Sequence, residues 1–143
     1  MGGALKRRKY DENYEVKAYE KFCKKLKFIE GKEITVKVNE KFAAKYYANF
    51  TVPPEYQGSF PVVKTNDDEI TLIESKSFYP YPAGYCGGDD VMVYVFKAKK
   101  KGKFIINFSD AKVNVTAKTN NILFMIARIV YNYFCFFLYK AHI

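Results

Sequence analysis

At 143 residues the chain has room for one domain with a real core, which excludes two independent ones. Its 13 Tyr and 13 Phe, with no Trp, suit pleated and half-buried surfaces, so strands are favoured before any pattern is read. The formal charge of +9 attracts nucleic acid, anionic lipid or an acidic protein by its long-range field, but no RNA-binding aromatic signature, recognition-helix motif or zinc spacing accompanies it, which argues against nucleic acid.

Residues 1–23 read as a short, charged N-terminal extension. The opening is too polar for a signal peptide, which needs an apolar run of about 7 to 15 residues, so the chain as written is expected to be cytoplasmic. Gly2 would suit myristoylation, yet Lys6 stands where that motif asks for Ser or Thr. Basic residues gather from Lys6 to Lys9, at Lys24, Lys25 and Lys27, and at Lys97, Lys99 to Lys101 and Lys103. Tyr14, Ala18, Phe22 and Leu26 recur at a helical spacing of four.

From Lys25 the period changes to two, and residues 24–118 read as the one domain. In residues 33–38, Ile34, Val36 and Val38 alternate with Thr35 and Lys37, giving one dry face and one wet. Asn39-Glu40 then suits a tight hairpin, because Asn tolerates positive φ, and Phe42, Ala44 and Tyr46 take the inner face of the next strand. Pro53, Pro54 and Gly58 make residues 49–59 a long exposed loop. Strands are expected over 60–64 and 69–78, on either side of the Asn66-Asp67-Asp68 turn. A second loop, 79–90, carries Pro80, Pro82, Gly84, Gly87 and Gly88. Residues 91–96 are apolar on both faces, as a central strand should be. Phe104, Ile106 and Phe108, then Val113, Val115 and Ala117, continue the alternation. Seven or eight such strands predict an all-β, immunoglobulin-like antiparallel β-sandwich.

The tail, 119–143, is different. An apolar run begins at Ile122 and ends at Tyr139, broken by Arg128 and Asn132, which share one helical face. As a helix it is about 27 Å long, near the hydrocarbon thickness of a bilayer. A membrane partner through Ile122 to Tyr139 is one expectation; a segment packed on the sandwich, or a non-native extension, are the others.

Catalytic equipment is missing from this pattern. The one histidine, His142, is the penultimate residue, so a thiol protease built on Cys86 would have to recruit it across the whole fold. Asp67-Asp68 and Asp89-Asp90 are adjacent pairs whose side chains point apart, which suits solvation better than acid catalysis or metal binding. Gly87-Gly88 precedes a strand, whereas a phosphate-cradling loop precedes a helix. Cys23, Cys86 and Cys135 are widely spaced and form no Cys-x-x-Cys pair, which argues against a disulfide scaffold and a structural zinc site. Sequons at Asn49, Asn107 and Asn114 would matter only in a secreted protein. The expectation is therefore no enzyme, no cofactor and no metal. Recognition is left to the two loops, whose Phe50, Tyr56, Phe60, Tyr79, Tyr81 and Tyr85 either offer contact area or cover the open end of the core.

The chain resembles the chagasin-type inhibitors of papain-like cysteine proteases over about Lys25 to Lys118. Glu30-Gly31-Lys32-Glu33-Ile34-Thr35-Val36-Lys37-Val38-Asn39-Glu40-Lys41-Phe42 resembles the family's first hairpin. Gly84-Tyr85-Cys86-Gly87-Gly88 and the strand after it resemble the family's glycine-rich loop and its strand, and Lys101-Gly102-Lys103-Phe104-Ile105-Ile106 resembles the next turn and strand. In that family an Asn-Pro-Thr-Thr-Gly loop faces the catalytic centre of the protease, flanked by the glycine-rich loop and an Arg-Pro-Trp loop. Asn49, Thr51, Gly58 and Phe60 could stand for the first, with Phe50 in place of Pro and residues 52–57 inserted. The third has no counterpart, since Asn107-Phe108-Ser109-Asp110 holds no Arg, Pro or Trp. The resemblance implies a reversible inhibitor of papain-like cysteine proteases, with Asn49, Phe50, Thr51, Gly58, Phe60, Gly84, Tyr85, Cys86, Gly87 and Gly88 as protease-binding positions. The alternative is a membrane-anchored or surface-associated immunoglobulin-like protein-binding module displayed by its tail. The inhibitor reading requires the loops around Pro53 and Gly87 to meet at one rim.

Overall fold

The computed structural model describes residues 11–109, 111–119 and 121–141. Gly2, the basic cluster from Lys6 to Lys9, Asp110 and His142 lie outside the described residues. In chain order the elements are α1 (Tyr14–Cys23), β1 (Lys27–Phe28), β2 (Glu33–Lys37), β3 (Lys41–Ala48), β4 (Val63–Lys64), β5 (Ile70–Phe78), β6 (Asp90–Ala98), β7 (Gly102–Phe108), β8 (Lys112–Lys118) and α2 (Asn121–Ala141). The strands form two four-stranded sheets, ordered β1-β3-β6-β5 and β2-β8-β7-β4. Their inner faces share one apolar cluster, so the fold is an immunoglobulin-like β-sandwich.

The period-two pattern fills that core as expected. Ile34, Val36, Phe42, Ala44, Ile106, Phe108, Val113, Val115 and Ala117 are all buried in it, while Thr35, Ile105 and Asn114 between them face outward. Phe42 and Phe96 stack at 5.5 Å between centroids, and Phe108 meets the edge of Phe96 at 6.1 Å. Offset and edge-on ring pairs add stability beyond the area they bury.

The hairpin expected around Asn39-Glu40 does not form, because β2 and β3 belong to different sheets. The turn itself is present. Asn39 adopts a φ of 69°, and the Lys37 N–H donates to the Glu40 carboxylate at 2.9 Å. The Val38 N–H, however, donates to the Lys118 carbonyl and the Asn39 N–H to the Ala98 carbonyl, each at 2.9 Å. One carbonyl lies in each sheet, so the chain crosses from layer to layer. The sandwich is consequently not wholly antiparallel: β2 runs parallel to β8, and β1 parallel to β3. The strand expected over 60–64 shrinks to Val63–Lys64, since Pro61 has no N–H to give a ladder.

Residues 91–96 are apolar on both faces because both faces are covered. Tyr94 and Phe96 point into the sandwich. Val91, Val93 and Val95 join Ala43 and Phe78 on the outer face of the same sheet, under Tyr19, Phe22 and Cys23 of α1 and the following Leu26. Tyr19 and Phe22 seat on Phe78 at 5.4 and 5.1 Å. The charged N-terminal stretch thus supplies a third layer over one sheet.

Every described side chain of α2 from Ile126 to Lys140 is exposed, so the expectation of a tail packed on the sandwich is not met. Among the described residues no helix is long and apolar enough to cross a membrane, which overturns the transmembrane expectation. The polar Arg128 and Asn132 dilute the apolar run from within.

Tyr94 makes a buried polar contact, its hydroxyl donating to the Pro61 carbonyl at 2.6 Å. Tyr94→Phe orphans that carbonyl and is expected to cost about 1 to 2 kcal/mol at neutral pH, read by denaturant titration. Desolvation pushes the Tyr94 hydroxyl above the ordinary tyrosine range. The folded chain then keeps a proton that the unfolded chain releases, so this contribution is whole below pH of about 10 and is lost as the pH rises further. The gap between wild type and Tyr94→Phe is expected to close over that alkaline window; a gap that widens there would contradict it.

Candidate functional site

The β3–β6 ladder sets the geometry. It runs from Lys41 opposite Lys97 to Ala48 opposite Asp90. Residues 49–62, which leave β3, and residues 79–89, which lead into β6, therefore occupy the same pole. The β7–β8 turn joins them, with the Val62 N–H donating to Ser109 Oγ at 3.2 Å.

The first loop closes on itself. Asn49 Oδ1 accepts from the Thr51 N–H at 2.9 Å and from Thr51 Oγ1 at 2.6 Å, an Asx turn that fixes the exit from β3. Gln57 Nε2 donates to the carbonyls of Phe50 and Val52 at 3.1 and 2.9 Å, drawing the far limb back. Pro54–Tyr56 forms a single 3-10 turn between them. Phe50 rests edge-on against Phe60 at 5.6 Å, and Gly58 lies beside Ala48.

Three tyrosines order the second loop. The rings of Tyr79 and Tyr81 lie 4.8 Å apart, and Tyr81 stacks on Tyr85 at 4.7 Å with an interplanar angle of 9°. The Tyr79 hydroxyl donates to the Tyr85 carbonyl at 3.2 Å and accepts from the Gly88 N–H at 3.3 Å. The Tyr81 hydroxyl accepts from the Asp89 N–H at 3.1 Å. Gly84 and Gly87 take φ of 84° and 91°, a region that side-chain-bearing residues seldom enter. At Gly88, a Cβ would sit 2.2 Å from Cε2 of Tyr81, so the ring and the missing side chain require one another. From outside, the Ala83 N–H donates to the Glu12 carbonyl at 2.9 Å, which ties the start of α1 to this loop.

The two loops meet directly, Asn49 Nδ2 donating to the Gly87 carbonyl at 3.3 Å. Of the positions singled out in the sequence, Phe50, Thr51, Gly58, Gly84, Tyr85, Cys86 and Gly87 are exposed, Asn49 and Phe60 are half-buried, and Gly88 is buried. The six loop aromatics divide evenly: Phe50, Tyr56 and Tyr85 are exposed, whereas Phe60, Tyr79 and Tyr81 are half-buried beneath them. Gln57 and Glu12, which hold the loops, were not legible as functional residues. For Tyr79 and Tyr81 there was a signal, because alternation with Pro80 and Pro82 places both rings on one side of an extended segment. Among the described residues no group of three or more His, Cys, Asp and Glu is placed to hold a metal ion.

Fold and loops together define an immunoglobulin-like sandwich that presents two internally braced, cross-linked loops at one pole. A solved structure similar to this chain is that of the cysteine protease inhibitor EhICP2 from Entamoeba histolytica, 15% identical, covering 68% of this chain and 90% of that one with a TM-score of 0.44. No protein-family model and no curated protein matches the sequence.

Proposed function

We propose that this protein is a reversible inhibitor of papain-like cysteine proteases, acting by insertion of its paired loops into the active-site cleft. The observation that carries the reading is the hydrogen bond from Asn49 to the Gly87 carbonyl, which holds the two loops side by side as one edge. Phe50, Thr51, Gly84, Tyr85, Cys86 and Gly87 form the contact surface in this reading. Asn49, Gly58, Phe60 and Gly88 hold its shape. A protease cleft accepts extended backbone, and glycines let a main chain approach closely. Loops already braced by Gln57 and by the Tyr79 hydroxyl enter without the ordering cost that a flexible substrate meets. Occupying the cleft blocks it, so the inhibitor contributes no catalytic group.

The test is a papain and cathepsin assay with the full chain. Competitive inhibition, reversed by dilution, is expected at about micromolar inhibitor or below. No inhibition at that concentration overturns the reading. Asn49→Asp keeps the acceptor of the Thr51 turn and removes the Nδ2 donor to the Gly87 carbonyl, and is expected to weaken inhibition about tenfold, the equivalent of one hydrogen bond of ordinary strength.

A further inference from the structure

We propose that α2 and the lysine-bearing pole of the sandwich dock together on the surface of an anionic lipid bilayer, with α2 lying in the headgroup region. This inference does not depend on protease inhibition.

The helix shows why it needs a partner. Ile129, Val130, Phe134 and Phe137 are each more than half exposed, and nothing described in the chain covers them. Monomeric proteins seldom leave so continuous an apolar surface in water. Arg128 and Asn132, four residues apart, share one face of the helix with Cys135 and the hydroxyl-bearing Tyr139, so the polar groups of its middle form one narrow stripe. Apart from Lys140 in the last turn and the hydroxyls of Tyr131 and Tyr133, the rest of the circumference is apolar. A helix with one polar stripe, and without the apolar length to cross a membrane, has the form of one that lies in the interface plane. Tyr131, Tyr133 and Tyr139 suit that depth, where an aromatic ring meets both hydrocarbon and water.

The body from which the helix emerges has the matching charge. Asn121, the first residue of α2, follows closely on Lys118, the last of β8. Lys118 lies opposite Lys37, and Lys41 opposite Lys97, at the same end of the sandwich. The 99–103 turn closes this end with Lys99, Lys100, Lys101 and Lys103. These eight lysines outnumber the four carboxylates there, Glu40, Asp67, Asp68 and Glu69, so the pole is net positive. A second copy presenting the same pole would meet like charge, whereas a bilayer rich in anionic lipid meets opposite charge. Interfacial helices bind through buried apolar area together with attraction to anionic lipid, and this chain offers both. The protease-facing loops of the proposed inhibitor leave the other end of the β3–β6 ladder, about 23 Å away by strand rise. Docking at the lysine pole leaves them directed away from the bilayer.

The full chain is mixed with phosphatidylcholine vesicles containing or lacking 30 mol% phosphatidylserine, and bound protein is measured by sedimentation. We expect binding to the anionic vesicles to be at least tenfold tighter than to neutral ones, with the difference abolished by 0.5 M salt. Phe134→Asp with Phe137→Asp, both at exposed positions, is expected to abolish binding without shifting the melting temperature of the sandwich. Lys99→Glu with Lys101→Glu is expected to weaken binding to anionic vesicles at least threefold while leaving the small affinity for neutral ones unchanged. Alkaline carbonate is expected to release the bound protein; retention in the pellet would mean a spanning helix and would overturn the proposal. Equal binding to both vesicle types overturns it as well. So does concentration-dependent dimerisation that the Phe134→Asp, Phe137→Asp variant abolishes, if vesicle binding is absent, since a second copy would then be the occupant.

Discussion

Phe96→Ala is expected to lower the unfolding free energy by about 3 to 5 kcal/mol and the melting temperature by roughly 10 to 20 °C, measured by chemical and thermal denaturation. The size of the effect follows from position. Phe96 is fully buried in a central strand, stacked on Phe42 from the neighbouring strand and edge-on to Phe108 from the opposite sheet. Its removal opens a cavity that three elements line together, and a β-core packed from two layers has little freedom to collapse around it. A loss of that size is a large part of the stability of an ordinary domain. Ile105→Ala is the control. Ile105 is adjacent to the buried Ile106 but 51% exposed on the outer face of its sheet, so the same kind of truncation is expected to cost well under 1 kcal/mol. Comparable losses at the two positions would mean that the faces of the sandwich have been exchanged.

That contrast between Ile105 and Ile106 is also the part of the fold most open to reading from sequence. Side chains in a strand alternate by covalent geometry, so Phe104, Ile106 and Phe108 declare an inner face whatever the strand pairs with. Pairing is a non-local property, and there local signals ran out. Asn39-Glu40 has the chemistry of a tight turn and makes one, but nothing in those two residues says that the next strand joins the other sheet. The Ala98 and Lys118 carbonyls decide it, and they come from far along the chain. The outer layer was half legible. Residues 91–96 announced two covered faces, but of the helical stripe Tyr14, Ala18, Phe22 and Leu26 only Phe22 and Leu26 reach the sheet, Leu26 from beyond the end of α1; Tyr14 is exposed, and Tyr19 and Cys23 complete the contact.

At the candidate site the loops were legible through their Pro and Gly content, and the contact between them was not. Composition marks where regular pairing stops. It does not say that Asn49, four residues before Pro53, reaches the Gly87 carbonyl, because that depends on β3 and β6 ending in register. The bracing was hidden for a related reason. A tyrosine in a loop reads equally as a binding residue or as a lid on the core, and its hydroxyl partner, here a main-chain group several residues away, separates the two roles.

Gly88→Val is expected to reduce protease inhibition at least about a hundredfold while moving the melting temperature by only a few degrees. The branched side chain cannot share space with the Tyr81 ring, whose Cε2 and Cζ would lie 2.2 and 2.3 Å from its Cβ. Main chain on one side and an aromatic ring on the other leave only the ring free to move. Once displaced, Tyr81 loses the stack on Tyr85 and its acceptor role for the Asp89 N–H. The exposed part of the loop then has no fixed shape to insert, whereas the sandwich core beneath keeps its contacts. Gly87→Ala meets open space and carries only the strain of a φ of 91°, about 1 to 3 kcal/mol, so its effect on inhibition is expected to be smaller than that of Gly88→Val. The pair Tyr81→Ala with Gly88→Ala separates room from rigidity: it relieves the clash but does not restore the stack, so inhibition is expected to stay low. Limited proteolysis within residues 79–89 reports loop order without reference to any protease target of the inhibitor, and cleavage is expected to quicken in Gly88→Val and in the double variant. A Gly88→Val protein that resists cleavage and inhibits papain as the wild type does would show that Tyr81 does not order the loop.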